Sequence, residues 1–425
     1  MALIVPAMMI GCQKPDTPQE DPTPEPPVEK PDTPTPPTTE ITLAPEIKSG
    51  DCVLAPNKFA EEFVTKVTYP DRDYSYSVVL DYHGGYNGQL AEGESVNGDK
   101  SSEYTIRWEA NEAEGKLVLE LSEQETGWSM TKEITAGSNY VDINNLTPNV
   151  HYTYKVSSID NGTVMTEGNF TTYGHIRQVF FKTRVRNGRD MGGWLTYDGK
   201  MVKYHKIYRT GRWESSTMAN SGKKAIIAEG IKAQLDLRNT SDVLDAPAIE
   251  GMDFCAPLIE TGGDSMLKAE KGDKTRQCMQ FIIDCVKADK PVVYHCSLGR
   301  DRTGTLGMII LGLLDVVEGD ISKEYEVTYF SPRGWSIASS ETYKTFQNLR
   351  TTWAYKPAAE YIWAGKYPNA TYEFNDDKES PDYTPFSVRI EKYLLDIGIS
   401  QADIDAFREL MLTEPYADLT PATAE

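Results

Sequence analysis

Past its first dozen residues, this 425-residue chain has no stretch that stays apolar for about 20 positions, the length a helix needs to cross a bilayer. That excludes a multi-span membrane protein. Basic residues are in short supply, with 43 Lys and Arg against 64 Asp and Glu and a net charge of −21, which excludes a general nucleic-acid binder. Cysteines are few and unpatterned: Cys12, Cys52, Cys255, Cys278, Cys285 and Cys296. They form no Cys-x-x-Cys and no Cys/His pairing at zinc spacing, so neither a structural metal nor a disulfide scaffold is expected. Apolar residues, at 39%, are sparse but sufficient for a core, and the length allows two or three domains at roughly 100–200 residues each.

What is present is unevenly distributed. From Arg177 to Arg350 there are 26 basic and 22 acidic residues, so that segment is mildly basic inside an acidic chain. Such an island points to a local anionic ligand. Residues 1–12 open with an apolar run, too short to span but suited to an export signal. Within it, Met9-Ile10-Gly11-Cys12 resembles a bacterial lipobox. The resemblance implies an exported lipoprotein, periplasmic or at the cell surface, held to the membrane by a lipid anchor rather than by a span. Residues 13–45 follow as a Pro-rich tether, with ten of the 25 prolines between positions 13 and 40. In polyproline II form it would reach on the order of 80 Å.

Residues 46–173 read as an all-β sandwich. Short runs that often alternate apolar and polar residues recur at Tyr104–Trp108, Lys116–Leu121, Tyr140–Ile143, Tyr152–Val156 and Asn169–Thr172, separated by turn residues. Leu146-Thr147-Pro148, followed by Tyr152, resembles the Leu-x-Pro-x-x-x-Tyr corner of fibronectin type III domains, and Trp108 sits where that family keeps a core tryptophan. No catalytic constellation is visible there. A chain starting near Tyr173 is therefore expected to keep most activity on small substrates.

The chemistry concentrates at Pro291-Val292-Val293-Tyr294-His295-Cys296-Ser297-Leu298-Gly299-Arg300-Asp301-Arg302-Thr303-Gly304. A β-type run leads into a polar loop and then into a helix, apolar nearly all round, over Thr305–Val317. Strand, loop and helix N-terminus together predict an anion site lined by backbone amides. Cys296 and Arg302 bracket the loop at C-x5-R. Amides and a guanidinium can lower a thiol pKa by several units, leaving a thiolate able to attack phosphorus. The planar guanidinium can hold two phosphoryl oxygens at once. Ser297 or Thr303 is placed to hydrogen-bond the sulfur, and Arg300 to add a second cation at the loop mouth.

His295-Cys296-x-x-Gly299-x-Asp301-Arg302-Thr303-Gly304 resembles the signature of the cysteine-dependent protein tyrosine phosphatases, in particular a bacterial branch that has Lys where this chain has Arg300. Further resemblances are Arg189-Asp190-Met191-Gly192-Gly193, Tyr208-Arg209-Thr210-Gly211 and Asp236-Leu237-Arg238. Near the C-terminus, Tyr393-Leu394-Leu395 and Gly398-Ile399-Ser400 resemble the branch's closing helices. The resemblance implies an α/β catalytic domain over 174–415, a mostly parallel sheet flanked by helices, with an unmatched insertion near Thr351–Pro385 read as a surface insertion or a rim over the pocket. It implies a phosphomonoesterase acting through a phosphocysteine on Cys296, with Arg302 as the clamp. Ser297, Leu298, Gly299, Arg300 and Thr303 bind the phosphoryl group, and no metal or other cofactor takes part. Phosphorylated protein is the expected substrate. Inositol phosphates or phosphoinositides are the alternative, and a surface binding protein with a degenerate phosphatase domain is a third reading. No Trp-Pro-Asp acid loop is present. The general acid is expected at Asp301, with Asp264 next and Asp190 or Asp236 behind. Arg189 with Asp190, and Asp236 with Arg238, are expected to be framework ion pairs, and His295 a structural support of the loop.

Overall fold

The structure, a computed structural model, describes residues 52–54, 58–72, 89–90, 94–95, 103–109, 115–181, 185–213, 218, 220–331 and 354–416. The expected export signal at 1–12 and tether at 13–45 lie outside the described residues.

In the N-terminal part the strands are β1 (Cys52–Val53), β2 (Gln89–Leu90), β3 (Glu94–Ser95), β4 (Glu103–Arg107), β5 (Leu117–Glu123), β6 (Ser129–Ile134), β7 (Tyr140–Asn144), β8 (His151–Ser158) and β9 (Val164–Tyr173), of which β4, β5, β7, β8 and β9 fall on the five runs read from the sequence. Along β5, Leu117, Leu119 and Leu121 share one buried face, and Glu123 continues it. The strand lies in a five-stranded sheet of order β1-β9-β8-β5-β6. A separate β4–β7 ribbon supplies Ile106, Val141 and Ile143 to the same core as Leu119, Tyr152 and Phe170, beside Trp108.

The second part is α/β. A five-stranded sheet is built from β10 (Arg189–Asp190), β12 (Ile207–Thr210), β13 (Ala233–Asp236), β14 (Asp253–Cys255) and β15 (Val292–His295); β11 (Met201–Val202) and β16 (Leu412–Thr413) pair separately. The order is β10-β12-β15-β13-β14, with β10 antiparallel to β12 and the other pairs parallel. The helices are α1 (Lys58–Lys66), α2 (Asn220–Ala228), α3 (Asp264–Lys268), α4 (Asp273–Lys287), α5 (Asp301–Leu313), α6 (Glu318–Glu326), α7 (Tyr355–Ala364), α8 (Phe386–Asp396) and α9 (Gln401–Met411). Alternation along the strands serves two cores. Val292 and Tyr294 pack with residues of α4 and α5, whereas Val293 joins Tyr208, Trp213 and Ile226 of α2 on the other face. Helix α5 is buried from Thr303 to Leu313, which explains its uniformly apolar sequence.

Two boundaries differ from those read in the sequence. Residues 58–72, grouped there with the β region, pack on the α/β part: Phe63 and Tyr69 join its core, and Lys323 Nζ donates to the Val64 and Val67 carbonyls at 2.9 and 3.0 Å, neutralising the C-terminal end of α1. The stretch 351–385, read as a surface insertion or rim, carries α7, whose Tyr355, Ala358, Ala359 and Ile362 are fully buried. Its aromatics are core, not cover: the Tyr367 ring packs against Tyr361, Tyr372, Phe374 and Tyr393.

The β region is joined to the α/β part by buried polar contacts. Glu123 meets His205 at 2.8 Å, and Thr147 and Tyr152 donate to its other oxygen. The Trp128 ring stacks on His205 at 5.1 Å. The His205 amide donates to Asp190 at 2.8 Å, Asp190 pairs with Arg177 at 3.0 Å, and Arg177 also reaches Glu229 and the Asn145 carbonyl. Buried charges are tolerated only when paired in this way. A chain cut near Tyr173 would remove Glu123, Asn145 and Thr147 from their partners. The β region is therefore a structural part of the unit rather than a dispensable module.

Burial raises the Glu123 carboxyl, but the facing His205, the Arg177 charge and the Thr126 hydroxyl outweigh it and hold the pKa at about 2. A depressed carboxyl stabilises the fold above its unfolded pKa, near 4.5, and that contribution is lost as pH falls toward 2. Glu123→Gln should destabilise the chain by on the order of 3 kcal/mol at neutral pH. Thermal melts at stepped pH should show the gap from the parent constant down to about pH 5 and closing below it; a gap independent of pH would refute the assignment.

Candidate active site

The wholly buried strand β15 ends at His295, the chain turns through Cys296 to Arg300, and α5 begins at Asp301. The loop is held from outside by its carbonyls. The Arg212 amide donates to Ser297 O at 3.2 Å, the Asn187 side chain to Leu298 O at 3.4 Å and Gly299 O at 2.9 Å, and Arg209 to Gly299 O at 2.6 Å. In a trans peptide the N–H opposes the C=O. Three carbonyls fixed outward therefore turn the amides of Leu298, Gly299 and Arg300 to the inner side, where no protein acceptor takes them among the described residues. These amides and the N-terminus of a 13-residue helix offer a candidate anion site. Gly299 is required for this turn. It sits at φ +69°, and a Cβ there would lie 2.5 Å from Thr210 O.

Cys296 is 3% exposed at the base of the loop. Burial opposes its ionisation, but the Arg302 charge and the Thr303 hydroxyl and amide outweigh burial and lower its pKa from the ordinary thiol value. The Thr303 Oγ1 atom is buried with no hydrogen-bond partner of its own, near enough to the thiol for its hydroxyl to favour the ionised form. Of the two hydroxyls expected to serve the sulfur, Ser297 is otherwise engaged: it donates to Asp242 at 2.9 Å. Arg302 is held by one arm, Nη1 donating to Leu237 O at 3.2 Å and Ile259 O at 2.9 Å.

Arg300 does not stand at the mouth. Its side chain is buried, makes two 3.0 Å bonds to Asp301 and lies over the Tyr329 ring, so only its amide is turned to the inner side of the loop. Asp301 is thereby engaged through both oxygens, with the Tyr325 hydroxyl at 3.3 Å as well. Asp264 opens α3 just after Gly262 and Gly263, half-buried and paired with Lys268 at 2.7 Å. That segment lies against the first turns of α5: the Gly263 amide donates to Thr305 at 2.8 Å, and a Cβ on Gly262 would sit 2.7 Å from the Asp301 backbone.

His295 is a support. The Ala248 amide donates to Gln234 Oε1, which turns the Gln234 amide nitrogen to His295 Nε2 at 2.9 Å and puts the imidazole proton on Nδ1. Burial lowers its pKa to about 4 against the pull of Asp236, so it remains neutral beside Cys296 at neutral pH. Asp236 and Arg238 pair with each other, fully buried. Arg189 and Asp190 do not. As neighbours on a strand they point to opposite faces, Arg189 to Glu324 at 2.7 Å and Asp190 to Arg177.

Sequence reasoning assigned no role at the site to Asn187, Arg209, Arg212, Asp242, Glu324 or Thr328. Glu324 pairs with both Arg189 and Arg209, and Thr328 takes a bond from Asn187 at 3.2 Å, so this buried cluster backs the Gly299 carbonyl. The one available signal was an arginine inside the otherwise uncharged buried run Ile207–Thr210.

A family model described as a tyrosine phosphatase family matches residues 182–413. A candidate tyrosine-protein phosphatase of Cupriavidus necator is 24% identical over 164 residues, which cover 33% of this chain and 59% of that protein. The chain thus spans less than two thirds of that relative. Among solved structures, a mutant form of Tk-PTP is 15% identical and covers 34% of this chain and 87% of its own, with a TM-score of 0.23. TpbA of P. aeruginosa is 13% identical and covers 37% and 93%, also at 0.23. Scores that low carry no argument, and the fold rests on the strand order above.

If Cys296 is the low-pKa thiol, alkylation by iodoacetamide should titrate with a midpoint below about 8.5, the free-thiol value. Thr303→Val should move that midpoint upward. A midpoint unmoved by Thr303→Val would remove the hydroxyl from the site.

Proposed function

The chain belongs to the tyrosine phosphatase family, and on that premise we propose that it hydrolyses phosphomonoesters, phosphotyrosine in protein first among them. The observation that carries this reading is the inward set of unspent amides over a buried Cys296 whose thiol is held below its ordinary pKa. The Cys296 thiolate attacks phosphorus in line. The P–O bond to the leaving group breaks, and an acid protonates the leaving oxygen. Water then cleaves the S–P bond and returns the thiolate. The amides of Leu298, Gly299 and Arg300, with Arg302, stabilise the equatorial oxygens, where the transition-state charge lies.

The buried Arg300 side chain supports phosphotyrosine over inositol polyphosphates, because that cation is not free to take a second phosphate. A purely binding role fits poorly with a thiol lowered from its ordinary value at the base of a loop of inward amides. The β region fits a fibronectin type III-like sandwich: the Thr147 amide donates to the Tyr152 hydroxyl at 2.8 Å, closing a tyrosine corner.

For the acid, the geometry favours Asp264 over Asp301. Asp301 would have to break its two-point pair with Arg300, whereas Asp264 is held by a half-exposed Lys268 on a segment that touches the first turn of α5, beside Arg302.

Phosphotyrosyl peptide should be turned over ahead of phosphoseryl peptide, inositol hexakisphosphate and phosphoinositides, with EDTA without effect. Cys296→Ser should abolish turnover while phosphate-ester binding persists. Parent-rate hydrolysis by Cys296→Ser would end the thiolate mechanism.

A second comparison identifies the acid. Nitrophenolate leaves with little help, but an alkoxide needs a proton, and general acid catalysis is worth about 10²–10⁴-fold. Asp264→Asn should therefore slow alkyl phosphates far more than nitrophenyl phosphate. If Asp301→Asn shows that selectivity instead, the role passes to Asp301.

A further inference from the structure

Asp242 follows β13 in the chain, far in sequence from the Cys296 loop, yet its carboxylate takes part in the hydrogen bonding of that loop. Its Oδ2 accepts the Ser297 hydroxyl at 2.9 Å, and 55 residues separate the two in sequence. A serine hydroxyl has one proton. Since that proton goes to Asp242, the Ser297 oxygen faces its other neighbour as an acceptor, and Arg302 Nη2 donates to it at 3.5 Å. The other arm of Arg302 is tied to the Leu237 and Ile259 carbonyls. Asp242 is itself fixed: Arg212 pairs with Oδ2, Arg238 Nη1 lies 3.8 Å from Oδ1, and the Asp242 amide donates to Asn239 O. The side chain is 29% exposed, so it stands at the rim of the site rather than in a core.

We propose that Asp242 is a positioning residue that aims the Arg302 guanidinium through the Ser297 hydroxyl. The inference rests on the phosphatase reading above and adds to it how the clamp is oriented before substrate arrives. A carboxylate that takes the hydroxyl proton makes the serine oxygen a stronger acceptor, and bonds in such a chain reinforce one another. Arg302 then meets the phosphoryl oxygens with one arm anchored to carbonyls and the other steered by Ser297. A clamp oriented in advance acts most on the transition state, where the equatorial charge is greatest.

The test is a double-mutant cycle in the full chain with Asp242→Asn, Ser297→Ala and the pair, read by steady-state hydrolysis of p-nitrophenyl phosphate and by inhibition with orthovanadate. Each single change should lower kcat/KM by about tenfold, mainly through kcat, and weaken vanadate inhibition in step, the loss expected for one bond to a charged group. The pair should be no worse than either alone, because both cut the same chain. Asp242→Glu should recover part of the loss. Additive losses, or parent-level kcat/KM and vanadate inhibition in either single variant, would overturn the proposal. Should Asp242→Asn fail to fold, Ser297→Ala decides alone by the same two readouts. An inactive parent chain would overturn the phosphatase reading and this inference with it; an active parent with an inactive Cys296→Ser variant and an additive cycle would overturn this inference only.

Discussion

The Gly299 carbonyl is the point on which the site depends. Two side chains from distant segments, Asn187 and Arg209, donate to it, and the arginine is held there by Glu324. A loop that must present several amides to one anion places like dipoles side by side, an arrangement it would leave if free. Anchoring the carbonyls on the outer side removes that freedom before any ligand binds. The same step places Gly299 at a positive φ, against Thr210, where a side chain would collide.

The anchor is not confined to the α/β part. Arg189 and Asp190 stand side by side on β10 and face opposite ways. Arg189 reaches Glu324 behind the loop, while Asp190 reaches Arg177 and the His205 amide toward the β region. Burial and the neighbouring Arg209 charge lower the Arg189 pKa to about 10, against the pull of Glu324, so it stays charged at neutral pH. Buried charges in such a row are costly unless every link is present. Glu123 and His205, at the far end, thus belong to the framework that carries the site. Helix α1, between β1 and the later β strands, joins the same core through Phe63, so the chain passes from the β sheet to the α/β part, back to the β region, and then into the α/β part again.

The local signature was legible from the residues themselves. His295-Cys296 before a glycine loop and an apolar helix places thiol, amides and guanidinium within a single strand–loop–helix turn, and the structure has that turn, from β15 to α5. The mostly parallel sheet and the closing helices α8 and α9 were expectations carried by the resemblance, and the structure has both. Less legible was the direction of a charged side chain. Arg300 reads as a cation for the mouth, but it turns in because Asp301 and the Tyr329 ring are there to receive it. The aromatic stretch after Thr351 reads as surface because none of the motifs recognisable in the sequence falls in it, yet α7 is filled with residues that the core requires.

The sequence by itself determined the backbone device: a thiol, an arginine six positions on, and a loop whose conformation is fixed by one glycine and the start of one helix. Those depend on neighbours in the chain, so spacing is enough to reveal them. Only the tertiary structure decided which polar groups hold that device in place. Asp242, Asn187, Arg209 and Glu324 reach it across gaps of tens to more than a hundred residues. A buried charge is satisfied by whichever partner the packing brings near, and sequence separation carries no information about that.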